Sequence, residues 1–261
     1  MTESRTYDTF VDWGKRLDRE APFFRREFEE HDVHSVIDVG CGTGMLSILW
    51  ATWGLDVVGV DPDPGMLEGA VINAMDESPR ISLADGAVRF ENGGFGGIEA
   101  LGTGLVDAVT CTGNALPHIA GRAALVPTLT DFAAVLRPGG LLVLHLLNHD
   151  RLLYKRLRAI PPVVRDTPDG KRVFLRFMDY TDDGILMDFV RMHRLPDPAE
   201  GVEPWEVSSD SSLHTALPTD VLADALLASG FANTRFYGSH AGADFRPAED
   251  ESVIVTAVRT A

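Results

Sequence analysis

The chain has little cysteine, no excess of basic residues and no long apolar run. Cys41 and Cys111 are the only cysteines among 261 residues, so we expect two reduced thiols rather than a disulfide framework, and no metal site. Lys and Arg total 23 against 39 for Asp and Glu, and the formal net charge of -16 would repel a phosphate backbone. Nucleic acid is therefore not an expected partner.

The amino terminus and the hydropathy of the chain give no indication of a membrane protein. Residues 1–5 lead into no apolar segment, and no stretch approaches the roughly 20 apolar residues that a membrane span needs. We expect a cytoplasmic protein. A hydrophobic content of 45% is enough for a large core and favours one domain over residues 1–261.

Short apolar runs alternate with helical periodicity, which predicts a doubly wound α/β fold. The runs are apolar on both faces, as expected for a parallel sheet that helices cover on both sides. A loop alone separates the last two runs, so these strands should pair antiparallel. The predicted strands are 35–39, 56–60, 88–90, 106–111, 141–147, 234–237 and 252–259.

Two segments depart from this alternation. The spacing of apolar residues from Phe10 to Phe28 predicts one or two leading helices with a break near Pro22, and we expect residues 1–34 to form a lid. Residues 151–217 read as an antiparallel β insert that caps the substrate at the carboxyl ends of the sheet strands. Within this insert the predicted strands are 172–180, 185–194 and 211–216.

The strongest indication of function is the glycine-rich turn at residues 38–44, Asp-Val-Gly-Cys-Gly-Thr-Gly, because doubly wound sheets bind ligands where their strands end. A dinucleotide-binding turn needs a small residue where this chain has Met45, which disfavours a nicotinamide-dependent oxidoreductase. Asp61 ends the next strand, and a carboxylate there can accept both hydroxyls of a ribose. Together the turn and Asp61 predict an adenosine-containing ligand.

These motifs, with Leu-Arg-Pro-Gly-Gly at 136–140, resemble the class I S-adenosylmethionine-dependent methyltransferases. The segments 111–118 and 148–150 resemble the glycine N-methyltransferase-like group that acts on small molecules, and the resemblance is weak between residues 150 and 217. It implies a Rossmann-like sheet of seven strands in the order 3-2-1-4-5-7-6, with strand 7 antiparallel. It also implies S-adenosylmethionine as the cofactor, a small-molecule acceptor and assembly into a homo-oligomer.

The resemblance also assigns roles to individual residues. Arg16 would bind the carboxylate of the cofactor, Met66 would pack on its adenine, and Asn114 and His118 would position the transferred methyl group. The implied cofactor-binding residues are Arg16, Asp38, Gly40, Gly42, Gly44, Asp61, Pro62, Met66, Asn92, Gly93, Thr112 and His118. The implied acceptor-binding residues are Tyr7, Trp13, Asn114 and Asn148.

The chain departs from the glycine-using enzymes at Leu147, where they carry an arginine that clamps the substrate carboxylate. We therefore expect a more apolar pocket there and an acceptor other than a small carboxylate. The acceptor atom is nitrogen or oxygen, reached by in-line displacement, and an oxygen would need a base. His118, His145 and His149 are the nearest base candidates. The alternative function is a non-catalytic S-adenosylmethionine-binding protein of the same fold.

Overall fold

The computed structural model describes residues 3–81, 87–196 and 203–261. Its helices are α1 (Glu3–Phe10), α2 (Trp13–Glu30), α3 (Met45–Ala51), α4 (Pro64–Ile81), α5 (Leu125–Val135), α6 (His149–Lys155) and α7 (Thr219–Ala228). The first strands are β1 (Ser35–Val39), β2 (Asp56–Asp61), β3 (Ala87–Asn92), β4 (Val106–Cys111) and β5 (Leu136–Leu147). The remaining strands are β6 (Ala159–Thr167), β7 (Gly170–Tyr180), β8 (Ile185–Arg194), β9 (Trp205–His214), β10 (Phe231–Tyr237) and β11 (Ser252–Arg259).

Seven of these strands form one sheet in the order β3-β2-β1-β4-β5-β11-β10. The pairs between β3 and β5 are parallel, whereas β11 pairs antiparallel with both of its neighbours. Since β10 and β11 are the sixth and seventh strands of this sheet, the predicted order 3-2-1-4-5-7-6 is confirmed, and so is the doubly wound α/β class.

The sheet buries a separate apolar layer on each face. Phe132 of α5 and Leu226 of α7 pack on one face, and Phe24 of α2 and Trp50 of α3 pack on the other. All four side chains are fully buried. This two-sided burial explains why the strands read as continuous apolar runs rather than as alternating ones.

Helix α2 passes through Pro22, and the predicted break near this residue is wrong. The chain instead breaks just before α2, where the Asp12 side chain accepts the N–H of Lys15 at 3.3 Å and caps the helix. A proline inside a helix costs ~3 kcal/mol. Phe23 and Phe24 follow it and are fully buried, and burying each such ring contributes roughly 1.5–3 kcal/mol, which offsets that cost.

The insert forms a second, antiparallel sheet of four strands in the order β6-β7-β8-β9. Strands β7 and β8 agree with prediction, but β6 was not predicted, and the strand predicted at 211–216 is β9, which spans Trp205–His214. Strand β6 was not predicted because Pro161 and Pro162 are unusual in a strand. They are tolerated because β6 lies at a sheet edge, where the register shifts between Ile160 and Val163. Most of β9 is exposed, so it lacks the apolar alternation that marks a strand.

The second sheet contacts both α1 and the loop that follows β4. Arg165 of β6 donates to the carbonyl of Phe10 at 3.1 Å, and the Phe10 ring lies 5.3 Å from that of Phe174. At the end of β9, the Thr215 hydroxyl donates to the carbonyl of Ile119 at 2.9 Å. Among the described residues, the helices are all too short or too polar to cross a bilayer.

Candidate active site

A cavity of about 800 Å³ lies at the carboxyl ends of β1, β2 and β4. It has the size of a small-molecule site. Residues from α1, α2, the glycine-rich turn and the loops after β2, β3 and β4 surround it. Of the sequence-predicted site residues, those that line it are Tyr7, Trp13, Arg16, Asp38, Gly40, Gly42, Asp61, Pro62, Met66, Thr112, Asn114 and His118.

The glycine-rich turn is fixed to the end of β2 through Asp61. One carboxylate oxygen of Asp61 accepts the N–H of Gly42 at 2.8 Å, and the other accepts the N–H of Asp63 at 3.0 Å. Gly40 and Gly42 have φ values of 74° and 56°, in the region that favours glycine. Burial raises the pKa of Asp61 above its ordinary value, although the N–H groups of Asp63 and Gly42 oppose the shift. Each oxygen keeps acceptor capacity toward the cavity.

Asp38, at the base of this turn, is nearly fully buried. Its two oxygens accept hydrogen bonds from the hydroxyls of Ser47 at 2.6 Å and Thr110 at 2.9 Å. Burial raises the pKa of Asp38 to about 6, against the opposing effect of these two hydroxyls. The side chain therefore ties α3 and β4 to β1 beneath the cavity.

Arg16 of α2 brings a guanidinium to the opposite wall. Its Nε donates to Glu20 at 3.1 Å, and its charge lies 4.9 Å from the ring centroid of Trp13. A Cβ on Gly113 would lie 3.5 Å from the guanidinium, an ordinary contact distance, so Arg16 lies against the loop after β4. Burial works against the charge, but Glu20 and Tyr7 raise the pKa of Arg16.

The loop after β4 contributes His118, whose ring lies 4.4 Å from that of His214. His214 is buried at the end of β9, and burial lowers its pKa to about 3. Burial also lowers the pKa of His118, against the attraction of Asp61. Asn114 has a φ of 70°; its Oδ1 accepts the N–H of Leu147 at 2.9 Å, and its Nδ2 lies 3.2 Å from His214 Nδ1. Both histidines are thus neutral near pH 7, and Asn114 links three elements.

Three predicted cofactor residues do not line the cavity. Gly44 faces the packing between α4 and β3, since a Cβ there would lie 2.6 Å from the ring of Phe90. The side chain of Asn92 donates to the carbonyls of Asp61 and Pro62 and so braces the end of β2. Gly93 does not line the cavity, but the next residue, Gly94, does, so the prediction was one residue out of register.

Asn148, predicted to bind the acceptor, lies outside the cavity, where its side chain bonds to the backbone. Its Oδ1 accepts the N–H of Arg151 at 3.0 Å and caps α6, while its Nδ2 donates to the carbonyls of Pro247 and Asp250. The side chain of Leu147 also lies outside the cavity lining and packs on the small apolar cluster around Leu152. The pocket was expected to be more apolar at Leu147, where the glycine-using enzymes carry an arginine. In the structure this leucine lies beside the cavity and does not line it.

Among the three histidines considered as bases, His118 lines the cavity and the other two do not. His149 Nδ1 accepts the N–H of Leu217 at 2.8 Å, and burial lowers its pKa to about 4. His145 lies in a separate cluster with Glu20.

The structure adds lining residues that sequence reasoning missed. Several of them lie on the loop after β3 and at the start of α5, which begin at the same sheet edge as the glycine-rich turn. Their place beside that edge follows from the order of the strands, which could have identified them. The added lining residues include Asp63, Gly94, Phe95, Gly96, Ala120, Ala124, Pro127 and Thr128.

The lining fits S-adenosylmethionine in its chemistry. The free acceptor capacity of Asp61 suits ribose hydroxyls, and the Arg16 guanidinium suits a carboxylate. Met66 and Phe95 give apolar surface in the same cavity, as an adenine ring requires. The residues present therefore provide a subsite for hydroxyls, an anion-binding subsite and an apolar subsite in one cavity.

Comparisons with known proteins agree with this geometry. Residues 36–140 match the family model described as a methyltransferase domain. A glycine/sarcosine N-methyltransferase of Parasynechococcus marenigrum is 36% identical over 147 residues, which are 56% of this chain and 50% of the relative. A glycine N-methyltransferase of Mus musculus is 31% identical over 158 residues, 59% of this chain and 50% of the relative. The matched part of the chain spans about half the length of these relatives.

Solved structures match nearly the whole chain at low identity. An S-adenosylmethionine-dependent methyltransferase from Clostridium acetobutylicum has a TM-score of 0.75 at 15% identity, covering 96% of this chain and 93% of that one. A sugar N-methyltransferase from a Streptoalloteichus species has a TM-score of 0.72 at 20% identity, covering 95% and 90%. At these identities the likeness concerns the fold.

The resemblance that the motifs predicted is confirmed. Residues 36–140 are similar to the methyltransferase domain family, the matched half of the chain is similar to glycine/sarcosine and glycine N-methyltransferases, and the fold is that of S-adenosylmethionine-dependent methyltransferases. These likenesses agree with the predictions of an enzyme and of S-adenosylmethionine as its cofactor, since the named relatives are N-methyltransferases and one named structure is that of an S-adenosylmethionine-dependent methyltransferase.

Proposed function

We propose that this protein methylates a nitrogen of a small amine that is not held by its carboxylate, with S-adenosylmethionine as the methyl donor. The observation that carries the proposal is one cavity with Asp61 and the glycine-rich turn on one wall and Arg16 on another. Arg16 is the one lysine or arginine among the described lining residues, so once it binds the cofactor carboxylate no second cation remains there to hold a carboxylate of the acceptor. Bound S-adenosylmethionine would supply an activated methyl group on a sulfonium. The protein then needs to orient the acceptor and exclude water.

The histidines at the cavity favour an amine over a hydroxyl acceptor. The lowered pKa of His118 makes it a weak base, and His214 beside it is neutral as well. A desolvated amine reaches its neutral, nucleophilic form near pH 7 without a dedicated base, whereas a hydroxyl would need one. The two sequence relatives named above are N-methyltransferases, which supports the same choice.

The second sheet and α1 would close the acceptor side of the cavity. His214 and Thr215 bring the end of β9 against the loop after β4, and Phe10 of α1 packs on β7 and β8. Helix α1 also touches the glycine-rich turn, because the Thr43 hydroxyl donates to Asp8 at 2.6 Å. These contacts support residues 151–217 as a substrate cap and residues 1–34 as a lid.

The test is a transfer assay with methyl-labelled S-adenosylmethionine over amines that lack a carboxylate, amino sugars, glycine and phenols. We expect turnover with an amine or amino sugar that exceeds turnover with glycine at least tenfold, a difference of about 1.4 kcal/mol. Asp61→Ala should abolish both transfer and the binding of S-adenosylhomocysteine measured by calorimetry. The control is Asp56→Ala, which removes an exposed carboxylate at the other end of β2.

Each outcome of this assay has a clear meaning. Transfer to phenols but not to amines would contradict the proposed acceptor atom. Tight binding of S-adenosylhomocysteine without transfer to any acceptor would favour a non-catalytic binding protein. Failure to bind S-adenosylhomocysteine would remove the proposal.

A further inference from the structure

A cluster of buried polar groups lies beside the cavity and has no part in the proposed methyl transfer. It consists of Glu20 from α2, His145 from β5 and His240 from the loop between β10 and β11. The side chains of Glu20 and His240 are 0% and 4% exposed. Three elements far apart in the chain thus each direct one polar side chain to the same interior point.

The facing atoms of this cluster have no hydrogen-bond partner. Glu20 Oε2, His145 Nδ1 and His240 Nε2 are all buried and unpaired, although buried polar atoms are nearly always paired in native proteins. An atom from each of the three residues lies within 4.8 Å of the other two, and Glu20 Oε2 lies 3.9 Å from His240 Nε2. A single occupant at the centre of this triangle would provide a partner for all three atoms.

We propose that Glu20, His145 and His240 bind a divalent transition metal ion of the zinc type. Two imidazoles and one carboxylate form a ligand set that zinc accepts, with a fourth position left for water. Zinc bonds of about 2.0–2.1 Å place tetrahedral ligand atoms about 3.4 Å apart, so the Glu20 and His240 atoms, 3.9 Å apart, need to close by about half an ångström. The other two pairs lie within 4.8 Å and need to close by at most about 1.4 Å. The sequence predicted no metal because these ligands are not close together in the chain.

The charges around the cluster leave one carboxylate oxygen free for a cation. Arg16 and Arg19 both donate to Glu20 Oε1 at 3.1 Å, which keeps the carboxylate ionised and leaves Oε2 facing the histidines. A metal ion here would tie α2 to β5 and to the loop that carries His240. Glu20 in turn holds Arg16, so the ion would fix that guanidinium at the wall of the cavity.

The test is metal binding by the full, untagged chain. After chelation and dialysis against excess Zn²⁺, elemental analysis should find about one zinc per chain. Co²⁺ should give the intense visible absorption of a four- or five-coordinate ion. His240→Ala and Glu20→Gln should each lower the zinc content at least fivefold. The matched control is His193→Ala, since His193 also lies beside two acidic residues, Asp169 and Glu206, but on the surface.

Zinc binding by the unsubstituted protein tests the proposal even if a variant fails to fold. If it binds less than about a tenth of an equivalent of zinc and gives no Co²⁺ absorption, the cluster holds only water and the proposal is wrong. Equal zinc content in the folded Glu20→Gln variant and in the unchanged chain also overturns it, because the ion would then lie elsewhere. Neither result depends on methyl transfer, so the proposed function is tested separately.

Discussion

The carboxylate of Asp61 holds the N–H of Gly42 at 2.8 Å, although the two residues belong to different strand–helix units. This bond fixes the glycine-rich turn against the end of β2 before any ligand binds. It means that Asp61 has a structural role as well as the proposed role in ribose binding.

Replacing Asp61 by asparagine should therefore weaken the fold as well as the site. An amide offers one acceptor oxygen where the N–H groups of Gly42 and Asp63 need two. We expect Asp61→Asn to lower the free energy of unfolding by about 1–3 kcal/mol in urea denaturation of the ligand-free chain. Asp56→Asn, at the exposed end of the same strand, should leave it unchanged. Equal stability of the two variants would contradict the structural role.

Gly44 should matter for folding rather than for cofactor contact. Its φ is 74°, and a Cβ would lie 2.6 Å from Phe90 and 2.9 Å from Ala70. We expect Gly44→Ala to cost about 2–4 kcal/mol of stability, because overpacking adds to backbone strain. Gly102→Ala is the matched control, since Gly102 has a φ of 64° with open space around a Cβ, and it should cost only about 1 kcal/mol. Similar thermal denaturation of both variants would show that the packing at Gly44 is looser than described.

Asn148 provides a test of a residue that the family resemblance assigned to the acceptor. Its side chain makes hydrogen bonds to the N–H of Arg151 and to the carbonyls of Pro247 and Asp250. Asn148→Ala should lower the free energy of unfolding by about 2–4 kcal/mol, since it leaves buried groups unpaired. Asn148→Asp retains the helix cap but turns a buried carboxylate oxygen toward the two carbonyls, so it should cost at least as much. The KM of the folded enzyme for its acceptor should not change in either variant, and a large rise in KM would restore the original assignment.

The buried Asp38 should make stability fall as the pH rises. Because burial raises its pKa to about 6, the native chain keeps a proton between about pH 4 and 6 that the unfolded chain has released. The unfolded state binds fewer protons in this window, so the contribution of Asp38 decreases with increasing pH. We expect the free energy of unfolding of the unsubstituted protein to exceed that of Asp38→Asn by less at pH 7 than at pH 4. This difference should fall by on the order of 3 kcal/mol over that range. Urea denaturation across this range measures it, and a flat difference would show that the pKa is ordinary.

Pro22 should reduce the stability of helix α2. Replacing it by alanine restores a helical hydrogen bond, and we expect Pro22→Ala to raise the free energy of unfolding by about 1–3 kcal/mol. Pro64→Ala is the control, because Pro64 is the first residue of α4, where a proline is well tolerated. A destabilised Pro22→Ala variant would mean that the proline sets a bend on which the packing of Phe23 and Phe24 depends.

The parts of the fold that could be predicted are those set by local sequence. The succession of β1 to β5 along the chain follows from apolar runs and from glycine-rich turns, whereas their order in the sheet was implied by the family resemblance. Residues after strands, such as Asp61 and His118, could be assigned to the cavity because parallel strands end at one edge. The edge strand β6 and the exposed strand β9 were missed or misplaced because neither shows the apolar alternation on which such predictions rest.

The sequence by itself determined the doubly wound sheet, the glycine-rich turn and the carboxylate at Asp61, because each depends on neighbouring residues or on one strand–helix unit. Only the tertiary structure decided which polar side chains face the cavity and which are bonded elsewhere. Asn148 faces two carbonyls about a hundred positions away, and His214 reaches His118 from the far end of the insert. Hydrogen-bond partners and buried clusters such as Glu20, His145 and His240 form between distant segments, and no local pattern specifies them.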